Sequence, residues 1–153
     1  MQKTLVLVFH PNLAQSKANQ QLVHRLQQEQ SIQQQTEYQI IDMYQLYPDG
    51  IIDATAETQR LLSCSRLVLQ FPVFWYSTPP LLKAWQDAVL TPMYYLNYAT
   101  EGALLQGLPV LLAATAGNTV EAYSPQGSNR YPLEQLFIPL KATAYRCGWV
   151  WHS

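Results

Sequence analysis

The sequence predicts a doubly wound α/β fold, a parallel sheet with helices on both faces, and three observations carry that prediction. Thr4–Phe9 is a continuous Val/Leu/Phe run, the pattern of a strand buried on both faces, and Arg66–Phe71 and Leu108–Thr115 are further apolar runs of strand length. Segments between them return their apolar residues at helical spacing. The two patterns alternate along the chain as βαβαβαβα(β), which selects a parallel sheet joined by crossover helices.

The elements follow in order. Thr4–Phe9 runs into a loop at His10–Gln15. From Ser16, the residues Ala18, Leu22, Val23 and Leu26 form one face of a helix reaching about Gln30. A polar turn is expected at Gln33–Gln35 and a second strand at Tyr38–Asp42. Tyr44–Asp53 reads as a loop with a Pro-Asp-Gly turn, and Asp53 as the cap of a helix through Ser63. Beyond the third strand, Thr78 followed by Pro79 and Pro80 marks a helix start, because proline in the first turn gives up no needed hydrogen bond. That helix continues through Leu82, Trp85 and Val89, and Thr91–Gly107 is a long aromatic-rich segment. Pro132–Tyr145 is a helix interrupted near Pro139, and Trp149–His152 begins a fifth strand. No repeat or linker divides the chain, so residues 1–153 are expected to form a single domain.

Composition narrows the function. With 48% apolar and 12% charged residues, 153 residues suffice for one core and are too apolar for disorder. A formal charge of −1 gives no electrostatic basis for binding nucleic acid or acidic lipid. Cys64 and Cys147 form no close-spaced redox or metal-ligand motif and read as reduced core thiols; no metal is expected. Neither a signal peptide nor an apolar run of roughly 18 residues, the length of a membrane span, is present, so a soluble cytoplasmic protein is expected.

Ligands of such sheets sit at the carboxyl ends of the strands, beside the point where strand order reverses. Three loops there are chemically unusual. The first, His10 to Asn19, places Ser16 at a helix N-terminus whose free N–H groups and positive dipole end suit a phosphate. The Ser16 hydroxyl, the Asn19 amide and the His10 ring add donors; simple capping is the alternative for Ser16. In the second loop, Phe74, Trp75 and Tyr76 stand just past a buried strand, where aromatics either wall a flat conjugated ring or plug the sheet end. Trp85, on a helical apolar face, reads as core. The third loop is Thr115-Ala116-Gly117-Asn118-Thr119 with Tyr123 following. Gly117 and Asn118 tolerate unusual backbone angles and let main-chain N–H groups approach a ligand, with an ordinary turn as the alternative.

These loops carry a resemblance, together with Leu46-Tyr47-Pro48-Asp49, the run Pro72–Asp87 with its Trp-Tyr-Ser-x-Pro-Pro-Leu-Leu-Lys centre, and Asn129-Arg130-Tyr131-Pro132. The tail, Pro139-Leu140 with Ala142 and Cys147-Gly148, belongs with them. Over nearly its whole length the chain resembles the NAD(P)H:quinone oxidoreductase family with the flavodoxin-like fold, and most of all the ancillary proteins of glutathione-gated potassium-efflux antiporters. The resemblance implies a flavodoxin-like three-layer sandwich on a five-stranded parallel sheet, with the last strand and helix truncated in this chain and apolar sheet surface left uncovered. It implies FMN, with FAD as the alternative, NAD(P)H as co-substrate and a quinone-type acceptor. Hydride would pass through the flavin in a double-displacement cycle.

By that resemblance His10, Ser16, Lys17, Ala18 and Asn19 would hold the flavin phosphate. Val73, Phe74, Trp75 and Tyr76 would hold the central and dimethylbenzene parts of the ring, and Ala116, Gly117, Asn118 and Thr119 its pyrimidine edge. Tyr123 and Trp75 would serve at the hydride-transfer site. Thr115-Ala116-Gly117-Asn118 departs from the family's two threonines followed by glycines. The second functional class is a flavin-binding regulatory subunit of a potassium-efflux antiporter, at the inner face of the cell membrane. A one-electron carrier is disfavoured by the nearly neutral charge. The aromatic-rich Met93–Tyr98 and the scarcity of charged residues point to a homodimer.

Overall fold

The structure, a computed structural model, describes residues 2–32 and 35–152. Five parallel strands are present: β1 (Gln2–Val8), β2 (Thr36–Asp42), β3 (Arg66–Pro72), β4 (Pro109–Thr115) and β5 (Val150–His152). They stand in the order β2-β1-β3-β4-β5, so the order reverses between β1 and β3. Val8 lies opposite Asp42 on one side and Gln70 on the other, and Pro72 opposite Thr115. The carboxyl ends of β1, β3 and β4 therefore meet along one edge.

The helices are α1 (Lys17–Ile32), α2 (Met43–Leu46), α3 (Ala54–Ser63), α4 (Pro80–Trp85), α5 (Thr91–Tyr95), α6 (Leu133–Leu136) and α7 (Ile138–Arg146). Asp53 caps α3 as expected, its carboxylate accepting from the Ala56 N–H at 3.0 Å. A similar cap at Asp42, accepting from Gln45 N–H at 3.1 Å, nucleates α2 at the start of a stretch read from sequence as loop. One helical turn is too short to leave a periodic signal. The helix that starts at Pro80 also runs further than its sequence suggests. Gln86–Leu90 form a π-helical turn and α5 continues the rod to Tyr95. Pro92 has no N–H to return to the preceding turn, so a widened turn precedes a residue that reads as a breaker. The break between α6 and α7 falls at Phe137, beside Pro139, as expected. The polar turn expected at Gln33–Gln35 lies outside the described residues at positions 33–34.

Strand alternation divides the core. Leu5, Leu7 and Phe9, with Leu67, Leu69 and Phe71, face the layer built from α3, α4, α5 and α7, against Leu61, Leu82, Trp85, Met93 and Leu140. Burying each such side chain contributes about 1.5–3 kcal/mol. Val6 and Val8 point to the opposite face, towards α1, and are also fully buried. On that second face the sheet is open over β3 and β4. A cavity of about 490 Å³ is lined there by Thr4, Leu26, Arg66, Val68, Leu111 and His152. Trp85 sits in the core with its ring edge-to-face on Phe9, the role its helical spacing indicated. Cys147 is buried and Cys64 half-buried; both are free, and burial pushes each thiol up to about 11. Among the described residues no helix is long and apolar enough to cross a membrane.

Candidate functional site

The β1–α1 loop leaves the sheet at the switch point, where Phe9 N–H still donates to the Gln70 carbonyl at 2.8 Å. Its first side chain, His10, accepts the Asn12 N–H on Nδ1 at 3.0 Å. A ring nitrogen that accepts carries no proton, so Nε2 is the donor. Partial burial holds His10 below the ordinary histidine value, against an opposing pull from the Asp42 carboxylate. The ring also packs edge-to-face on Phe74, which ties the first loop to the second.

Ser16 precedes α1 and accepts the Asn19 N–H at 3.4 Å and the Asn19 side-chain Nδ2 at 3.0 Å. Lys17 and Ala18 then open a helix of sixteen residues, where main-chain N–H groups have no intrahelical acceptor. Asn19, expected as a direct donor, is only 1% exposed. Its other Nδ2 hydrogen goes to Thr115 Oγ1 at 3.1 Å, and its Oδ1 accepts from Gln70 Nε2 at 3.2 Å. Asn19 thus sits beneath the loop and ties the helix start at Ser16 to the ends of β3 and β4.

After β3 the chain makes a two-residue hairpin. Phe74 and Ser77 exchange main-chain hydrogen bonds at 2.9 and 3.0 Å, with Trp75 at φ 45° and Tyr76 at φ 64° between them. This left-handed pair is normally filled by Asn-Gly, and a bulky side chain there costs on the order of 1–2 kcal/mol per residue. The geometry throws Trp75 outward, 92% exposed, so it does not plug the sheet end. Val73 N–H donates to the Thr115 carbonyl at 2.7 Å and holds the base of the hairpin on β4. The Tyr76 hydroxyl donates to Asn129 Oδ1 at 3.0 Å, joining the hairpin to the loop after β4.

That third loop is open at Gly117, where an added Cβ would have no atom within 4 Å. The Thr119 N–H is taken by Asn118 Oδ1 at 2.9 Å, and its hydroxyl accepts from Ala122 N–H at 3.3 Å. Thr119 therefore shapes the loop, and the main chain of Ala116, Gly117 and Asn118 precedes it at the sheet edge. Tyr123 ends a single 3₁₀ turn, Glu121–Tyr123, and is half-buried. Gly127 makes that turn possible: a Cβ there would lie 2.1 Å from the Glu121 carbonyl oxygen and 2.4 Å from that of Ala122.

The structure gathers the residues picked from sequence in these loops at one sheet edge. Reading the sequence alone missed Gln70 and the side chains of Thr115 and Asn129 as participants. The available signal was an amide inside the apolar run Leu67-Val68-Leu69-Gln70-Phe71, since a buried amide must find partners.

The arrangement defines a doubly wound α/β protein with a phosphate-suited helix start and exposed aromatics at its switch point. A family described as having the flavodoxin-like fold matches residues 2–152, and the chain belongs to that family. A Bacillus subtilis (strain 168) protein called an uncharacterized NAD(P)H oxidoreductase is 41% identical over 146 residues, 95% of this chain and 79% of the relative. The glutathione-regulated potassium-efflux system ancillary protein KefG of Pectobacterium carotovorum is 37% identical over 149 residues, 97% of this chain and 77% of KefG. Among solved structures, general stress protein 14 of Treponema denticola in complex with FMN is similar with a TM-score of 0.87 and 31% identity. That match covers 98% of this chain and 82% of the other.

Proposed function

We propose that the chain is an FMN-dependent NAD(P)H oxidoreductase that reduces a quinone-type acceptor. The observation that carries this reading is the shared edge of a donor-rich helix start and a strained aromatic hairpin, linked through His10 and Phe74. A flavin mononucleotide has a dianionic phosphate at one end and a flat ring at the other, and the donors present match both. Ser16 hydroxyl, the N–H groups of Lys17 and Ala18 and the His10 Nε2–H suit the phosphate. Val73 to Tyr76 wall the ring, and the main chain at Ala116, Gly117 and Asn118 presents donors to its polar edge. FMN, when bound, supplies a ring nitrogen that takes and gives hydride.

We place Trp75, Tyr76 and Tyr123 around a single binding face, where nicotinamide and acceptor enter in turn and NAD(P)+ leaves before the acceptor arrives. The exposed Tyr95, Leu96 and Tyr98 are the surface on which we place a homodimer contact. The test of the reading is an absorbance spectrum of the purified protein with mass analysis of the released chromophore, followed by NAD(P)H oxidation with and without quinone. Protein that neither carries nor takes up FMN would sink it.

The likeness to KefG favours a second reading, a regulatory subunit of a potassium-efflux antiporter. Co-purification with an antiporter, and loss of that association on removing FMN, distinguishes it from a free-standing reductase.

A further inference from the structure

Gln70 and Asn19 form a two-amide buttress under the phosphate loop, each 1% exposed. Gln70 Nε2 donates to both the main-chain oxygen of Asn19, at 3.1 Å, and its Oδ1, at 3.2 Å. These bonds fix which way the Asn19 amide faces. Turned over, Asn19 would present its NH2 to the NH2 of Gln70, donor against donor in a buried site. Held as it is, Asn19 gives its two Nδ2 hydrogens to Ser16 Oγ at 3.0 Å and Thr115 Oγ1 at 3.1 Å. Ser16 Oγ also receives the Asn19 main-chain N–H at 3.4 Å. Both acceptor positions of the Ser16 oxygen are then filled from the protein side, and its own proton has to point away from Asn19. With the amide reversed, the Ser16 proton would turn inward to Asn19 Oδ1 and present lone pairs to an arriving anion.

Resting on the reading that this loop takes the FMN phosphate, we infer that Gln70 is a positioning residue: through Asn19 it sets the Ser16 hydroxyl as a donor to that phosphate. It has no contact with the ligand in this role. Thr115 is the second hydroxyl oriented by the same amide, so one side chain registers the phosphate loop against the loop after β4.

The experiment compares FMN with riboflavin, which lacks the phosphate. Gln70→Met removes the donor while keeping the side chain unbranched and similar in size. Expected is a fall of about tenfold in FMN affinity, the weight of one charge-assisted hydrogen bond, with riboflavin affinity unchanged. On a Ser16→Ala background the same substitution should leave the FMN-to-riboflavin ratio where Ser16→Ala alone put it. Equal losses for both flavins, or additive losses in the double variant, would show a general packing role and overturn the inference. If wild-type protein does not prefer FMN to riboflavin, the phosphate reading itself fails, which is a separate result. The unaltered protein gives an independent answer: the Asn19 side-chain NH2 protons should be exchange-protected before and after FMN is added. Protection that arises only on loading would mean that Asn19 contacts the phosphate directly, and would also overturn the inference.

Discussion

The indole N–H of Trp85 donates to Oε2 of Glu57 at 3.1 Å, and neither side chain is exposed to solvent. The other carboxylate oxygen accepts from the Tyr47 hydroxyl at 2.8 Å and pairs with Arg60. Three elements are thus tied to one buried charge: the turn after α2, α3 and the end of α4. Since Trp85 packs on Phe9, this hub also backs the strand that delivers His10.

Glu57→Ala should therefore be among the most destabilising single changes, at about 3–5 kcal/mol, because it strands the Tyr47 hydroxyl and the Trp85 N–H in the core. Glu57→Gln retains one acceptor and should cost less, about 1–3 kcal/mol. Urea unfolding of the two variants gives the comparison. Midpoints indistinguishable from wild type would mean that water replaces the carboxylate without loss.

The hairpin should show the opposite sign. Trp75 and Tyr76 occupy left-handed backbone at φ 45° and 64°. Substituting Asn and Gly for them relieves strain of about 1 kcal/mol or more at each position. Gly also removes the Tyr76–Asn129 hydrogen bond, which is exposed and worth little in stability. The double variant should melt at higher temperature and bind FMN more weakly. A variant that gains stability and keeps full flavin affinity would remove the aromatics from the site.

Protonation of His10 supplies a pH test whose sign follows from its burial. The folded-state pKa is lowered from 6.5, so on acidification the unfolded chain binds a proton at this position before the folded one does. The associated stability is fully present above the unfolded value and is lost as pH falls through the folded one. Wild type should thus lose stability more steeply than His10→Gln as the pH falls below 6.5. Parallel pH profiles for the two proteins would contradict the assignment.

Much of the fold was legible in the residues, for reasons that also explain the remainder. Strands β1 and β3 announce themselves because burial on both faces demands largely apolar runs, and Asp53 marks α3 because a cap is a local contact. The π-helical turn before Pro92 was not legible: it is a compromise between one missing N–H and the packing of Val89 and Met93 on the core. The hairpin at Trp75 and Tyr76 was hidden for a related reason. Its turn type is normally signalled by Asn-Gly, and here the backbone overrides side-chain preference. Asn19 looked like a ligand contact because its neighbours in sequence suggested one. Only the pairing of Val8 with Gln70, and the meeting of β3 and β4 at Pro72 and Thr115, reveals that its amide is already engaged.

Tyr123 offers the sharpest test of the proposed alternating use of one site by two substrates. It stands on the 3₁₀ turn that Gly127 permits, close in sequence to the main chain at Ala116, Gly117 and Asn118. A phenol there can donate a hydrogen bond to an acceptor oxygen as negative charge builds on it, a stabilisation that matters when the acceptor is reduced. Nicotinamide delivers hydride from carbon and has no such requirement. Tyr123→Phe should accordingly slow the acceptor half-reaction by about tenfold or more, the loss of one hydrogen bond made in the transition state, and leave the NAD(P)H half-reaction within about twofold. Stopped-flow measurement separates the halves by following flavin absorbance, first with NAD(P)H alone and then with quinone added to the reduced protein. Steady-state lines should be parallel, as substrates that occupy one site in turn require. If Tyr123→Phe slows both halves equally, the tyrosine is packing over the loop rather than meeting the acceptor. Intersecting lines would show that both substrates are held at once and would require a second subsite.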